Sequence, residues 1–170
     1  ALVKNIKYGD GDNLVMSNKD YLAMTLREKF TYHMTHAENN AQNCDAMPPV
    51  QDEDKKLFGQ LPESLSEYAW SDRQRKFLVS NRDSVMALIR ESVTRSKRMG
   101  ANYKQAIELV NGREMIPFLI DTYNIDQKDH DILTLLMLLM KNNEYKPFMT
   151  SQSYTKLYGE NASYQSYIDF

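Results

Sequence analysis

Residues Ile132–Met140 read ILTLLMLLM, and the way this run folds decides the class of the chain. Eight of the nine are apolar, with Thr134 the exception. At about 100° per residue such a run leaves a helix no polar face, so a helix here must be covered on nearly every side. Leu and Met dominate, and only Ile132 and Thr134 are β-branched, which favours helix over buried strand. Asp126 or Asp129 can cap the start, while Lys141, Asn142 and Asn143 suit the end. The pattern predicts a central helix over 127–142, about 24 Å long at ~1.5 Å per residue. Crossing a bilayer takes ~20 apolar residues, so this reads as a core helix and not a membrane span.

Working outward, the rest of the chain predicts helices joined by turns. On the N-terminal side, Gly9–Asn13 has an acidic pattern that partly matches a calcium loop, but Leu14 and Val15 stand where a ligand and a glycine are needed. A plain turn is the better reading. Ser17 with Asp20 starts a helix over 18–37, in which Leu22, Leu26, Phe30 and Met34 form an apolar stripe. The segment 38–62 reads as a long loop, and 64–158 as helical. Within it, Ser64 caps a turn carrying Leu65, Tyr68 and Trp70, and Ser71 with Gln74 forms a capping box. Val85, Leu88, Ile89 and Val93 line one face of a helix ended by Gly100; Asn102 caps the next, and Pro117 sits in the first turn of another. The tail, 159–170, is polar with interspersed aromatics and predicts loose packing. Asp83–Ile89 (DSVMALI) is weakly echoed by Asp131–Met137 (DILTLLM) at an offset of 48 residues (131 − 83), near the upper end for HEAT-type repeats. The expectation is an all-α fold in a single domain, 1–170. It takes the form of an irregular helical bundle or a short HEAT-like α-solenoid of antiparallel helix pairs.

Composition excludes several functions. With 42% hydrophobic and 26% charged residues, the 170-residue chain has the profile of a soluble globular protein. A net charge of −2 gives no general attraction to nucleic acid or an anionic membrane. The single cysteine, Cys44, excludes an internal disulfide and a multi-cysteine zinc site. Its neighbours Asn43 and Asp45 disfavour a thiolate, so it reads as inert. Eleven tyrosines, the scarcity of cysteine and an N-terminal Ala1 point toward an exported or periplasmic, processed chain. Asn161-Ala162-Ser163 matches a glycosylation acceptor, meaningful only in a eukaryotic secretory setting.

Three residue groups are candidates for function. His33 and His36 share a helix face, and Glu38 or Asp45 can complete a metal or acid–base site, which makes a hydrolase the alternative function. Against it, the zincin and di-iron patterns are absent, and His33 borders the apolar stripe, where packed histidines are common. The second group is basic. From Asp72 to Lys104 nine Lys or Arg face three acids, and Arg90, Arg95, Lys97 and Arg98 crowd one helix end. There they complement the helix dipole, and they also suit an acidic protein partner; nucleic acid is disfavoured because no aromatics are interleaved. The third is aromatic, with Tyr154 and Tyr158 among tyrosines gathered near the carboxyl end as candidate contact residues. No nucleotide or nucleophile motif appears, no cofactor is expected, and the leading reading is a non-enzymatic protein-interaction domain.

Overall fold

The computed structural model describes residues 5–41, 50–62, 65 and 67–169; Cys44, Asp45 and Ser64 lie outside them. The chain is predominantly helical. In order it runs β1 (Ile6–Tyr8), β2 (Leu14–Met16), α1 (Asn18–Ala23), α2 (Leu26–Thr35), β3 (Asn39–Asn40), β4 (Lys56–Phe58) and β5 (Tyr68–Ala69). The helices α3 (Asp72–Ser80), α4 (Arg82–Ser96), α5 (Ala101–Leu109), α6 (Ile116–Ile125), α7 (Asp131–Asn142), α8 (Lys146–Met149) and α9 (Gln152–Tyr158) follow, and β6 (Tyr167–Asp169) closes the order.

Helix α7 contains the ILTLLMLLM run, and two separate apolar clusters explain why it has no polar face. Ile132, Leu135 and Leu139 belong to the main core with Val85, Ile89, Ile107 and Leu119. Met137 turns to a second cluster with Leu57, Phe148 and Leu157. The helix is thus flanked by α5, α6, α8 and β4. It starts later than the sequence predicts. Asp126 and Asp129 do not cap it; His130 occupies the N-cap position without a side-chain bond. Asp129 and Asp131 are both held by the buried Lys104 ammonium.

The expected helix over 18–37 is two helices. Thr25 caps α2 through a reciprocal box with Glu28, and Met24 is extended, so the chain turns between Ala23 and Leu26. The expected stripe is broken as a result. Leu22 is 72% exposed and Leu26 39%, while Phe30 and Met34 are buried. The other departures from an all-α chain are three antiparallel strand pairs, β1–β2, β3–β5 and β4–β6. Strand β5 replaces the predicted helical turn at Tyr68, and β3 and β4 give order to parts of the expected 38–62 loop. The tail is strapped down, with Leu57 opposite Ile168 in the β4–β6 register. Gly9–Asn13 is the predicted turn: the Gly9 amide donates to the Asn13 carbonyl at 2.7 Å, and Gly11 takes φ 65°. Helix α4 ends at Lys97, left-handed with φ 58°, and not at Gly100; Gly100, in place of Asn102, is the N-cap of α5.

Leu135 and Leu139 are fully buried, whereas Leu136 is only partly so. Leu135→Ala and Leu139→Ala should each cost about 2–5 kcal/mol, through lost burial and the cavity left behind. Leu136→Ala should cost distinctly less. Urea unfolding of the three variants checks this, and equal losses would contradict the two-cluster description of α7.

Candidate functional site

His33 lies in α2, but His36 is its extended C-cap, so the two do not share the helix face that their spacing predicts; with Glu38 they are parts of a packed layer. His33 is wholly buried, its ring stacked on Tyr21 with 5.7 Å between centroids. Its Nε2 lies 3.2 Å from the Tyr21 hydroxyl, while Nδ1 is buried without a hydrogen-bond partner. Burial pushes its pKa down to about 4, with Arg73 and Lys29 adding to the effect and Glu38 opposing it. The ring is therefore neutral at physiological pH. His36 donates from Nε2 to the Leu14 carbonyl at 2.7 Å. Since a carbonyl can only accept, Nε2 of this ring is the donor.

Glu38 is 1% exposed and its carboxylate is surrounded by donors. Tyr32 donates to Oε1 at 2.8 Å, Ser71 to Oε2 at 2.5 Å, and the Arg73 Nε to Oε2 at 2.8 Å, while the Arg73 Nη2 also donates to Oε1. These donors outweigh the desolvation that alone would raise it, and hold the carboxyl below its usual range. Arg73 further reaches the Met16 carbonyl at 2.7 Å and stacks over the Tyr21 ring at 4.4 Å. Gln74, fully buried, accepts from the Glu38 and Ser71 amides and donates to the His36 carbonyl. Every lone pair that a metal or substrate proton would need on Glu38 is already taken. Among the described residues no group of three or more His, Cys, Asp or Glu is arranged to hold a metal ion.

The basic residues divide into two kinds. Arg73, Arg82 and Lys104 pair internally, Arg82 with Glu114 and the Val110 carbonyl. Arg90 donates to the Glu114 carbonyl and lies over the Phe118 ring at 5.0 Å. Arg95, Lys97 and Arg98 are exposed, and none forms an ion pair with a described carboxylate. The candidate tyrosines pack together: Tyr154 and Tyr158 lie 5.4 Å apart and both contact Phe148. Lys141 lies 4.3 Å over Tyr158, whose buried hydroxyl has no hydrogen-bond partner.

Three features had weak sequence signals. Arg73 stood in a basic tally with nothing to mark it as a buried clamp. Lys104 carried no hint of burial, and no motif linked Arg75 with Glu108, which line a common cleft. No protein-family model, curated protein or solved structure matches this chain. No helix among the described residues is long and apolar enough to cross a membrane.

Both titrating groups predict acid lability. The folded pKa of Glu38 is depressed, so its contribution is present above the unfolded value and is lost as pH falls through the folded one. The unfolded chain takes a proton on His33 near pH 6.5 and the fold only near pH 4, so stability falls as pH drops across that window. The His33 contribution is about 3 kcal/mol. Denaturant titrations across the window should show this decline in the wild type and a much shallower one in His33→Gln. An unchanged slope in the variant would remove His33 from the acid response. Glu38→Gln should cost about 3–5 kcal/mol at neutral pH, because it leaves Arg73 without its counter-charge.

Proposed function

We propose that the chain is a non-enzymatic interaction domain that presents the carboxyl end of α4 to an acidic protein. Its helices would serve as an irregular bundle with HEAT-like antiparallel pairing. The observation that carries the proposal is the division among the cations. Arg73, Arg82, Arg90 and Lys104 are used inside the fold, whereas Arg95, Lys97 and Arg98 stand exposed without an ion pair to any described carboxylate. Left-handed Lys97 ends α4 with its amide donating to the Val93 carbonyl, and the Ser96 hydroxyl donates to the Arg98 carbonyl, so one backbone and one side-chain bond hold the turn. The negative end of the helix dipole offsets part of their repulsion. The histidine–carboxylate layer supports the non-enzymatic side of this reading, since its polar atoms serve packing.

Crosslinking in extracts of the source cells should capture a partner rich in Asp and Glu. Arg95→Glu with Arg98→Glu should then slow association by about 10- to 100-fold at low salt, with little change in dissociation. The effect should shrink as salt is raised, because exposed charges are screened over ~10 Å at 0.1 M. Failure to capture a partner, or unaltered association in the double variant, would overturn the proposal.

A further inference from the structure

A cleft of about 490 Å³ opens between the β5 region and helices α3 and α5, away from the exposed end of α4. Its walls include Leu61, Tyr68, Trp70 and Leu109, and the charged residues described in its lining are Arg75 and Glu108. That volume is in the usual range for sites that take small molecules. Arg75 is exposed and Glu108 half-buried; among the described residues neither side chain forms a hydrogen bond or a close ion pair, and Lys141 and Tyr158 act on Glu108 only through the longer-range field. Elsewhere the fold satisfies its buried charges closely: Glu38 takes four donor atoms and Lys104 two carboxylates. Glu108 is the exception. Desolvation raises its carboxyl, and the nearby Lys141 only partly offsets the rise. An anion taken partly out of water without a hydrogen-bond donor gains from a cation brought to it. Arg75 offers the fork geometry that binds a carboxylate.

We propose that this cleft binds an amino-acid-like zwitterion, with its ammonium on Glu108, its carboxylate on Arg75 and its apolar body against Leu61, Tyr68 and Leu109. Opposite, unpaired charges in one cleft fit a ligand that bears both signs better than a simple amine or acid. The same chemistry occurs in a free amino acid and in a short peptide.

Trp70 is the only tryptophan in the chain and lines the cleft, so its fluorescence reports on occupancy. The probes are β-alanine, γ-aminobutyrate, ε-aminocaproate, leucine and leucyl-leucine, with butylamine and butyrate as singly charged controls. At least one zwitterion should give a saturable change with a dissociation constant below ~10 mM, a weak but specific range. Each control should bind about tenfold or more weakly, since a charged hydrogen bond is lost. Glu108→Gln and Arg75→Gln should each weaken the best zwitterion by about tenfold or more, and Glu108→Gln should leave butyrate unaffected. Both variants should melt close to the wild type, because neither side chain forms a hydrogen bond or close ion pair among the described residues. Should Glu108→Gln fail to fold, Arg75→Gln decides alone. Tighter binding of leucyl-leucine than of leucine would assign the site to peptides, and the reverse to free amino acids; either supports the proposal. Flat titrations with every zwitterion, equal binding of a singly charged control, or full affinity in Arg75→Gln would overturn it.

Discussion

Removing a carboxylate from water costs several kcal/mol even after relaxation, and Glu38 is almost wholly removed. The cost is offset only if its donors are held in place, and those donors come from distant parts of the chain. Tyr32 is on α2, Ser71 precedes α3, and Arg73 lies in the first turn of α3. Arg73 also binds the Met16 carbonyl of β2 and the Asn18 side chain at the start of α1. One guanidinium therefore fixes how the N-terminal hairpin and α1 meet α3. Gln74 completes the layer by bridging the backbone of residues 36 and 38 to that of residue 71. The small cluster of Met16, Tyr21, Met24 and Tyr32 sits beside this polar layer. Apolar contact alone would let that cluster slide on its neighbours, whereas the charge pair admits one register without leaving an ion unpaired.

The body of the fold obeys a different constraint. Helix α7 is too apolar to leave a side open, so the chain must supply cover from both directions. The main core covers one side, and α8, α9 and the β4–β6 strap cover the other. The strap matters because β4 comes from the middle of the chain and β6 from its end. Neither is long enough to be stable alone, and each gains from the pairing and from Leu57 and Ile168 packing below it. Lys104 ties α5 to the residues that precede α7, and so sets where that helix begins.

The legible parts of this architecture were those fixed by local chemistry. The α7 run, the Ser17–Asp20 cap, the Ser71–Gln74 contact and Pro117 at the start of α6 all rest on residues within four positions of each other. The split between α1 and α2 was also written locally, in Thr25 and Glu28, but the four-residue spacing of Leu22, Leu26, Phe30 and Met34 masked it. Strands of two or three residues carry no periodicity, and the partners in β3–β5 and β4–β6 lie far apart in sequence, so those two pairs left no local trace, whereas β1–β2 is a local hairpin around the legible Gly9–Asn13 turn. His33, His36 and Glu38 are close in sequence, but His36 lies beyond the end of α2 and shares no helix face with His33. Their role was not legible, because it depends on Arg73, which lies in another helix.

The unequal charge of residues 72–104 has two physical consequences that composition cannot separate. Where a cation meets a desolvated carboxylate, as at Arg73 and Lys104, its charge is neutralised over a few ångströms and contributes little to the field outside. Where it meets none, as at Arg95, Lys97 and Arg98, its field extends into solvent over roughly a Debye length. Internal pairing therefore leaves the outward positive potential to the exposed cations, of which Arg95, Lys97 and Arg98 crowd one end of α4 and Arg75 and Lys76 lie on α3. The same reasoning applies to the cleft in reverse. Glu108 is shielded enough from water for its charge to be costly, and Lys141 offsets that cost only in part without a direct hydrogen bond, so the carboxylate retains a demand for positive charge. A chain that satisfies Glu38 with four donor atoms evidently has the means to satisfy a carboxylate, which makes the exception at Glu108 a feature of that cleft and not a general looseness of the fold.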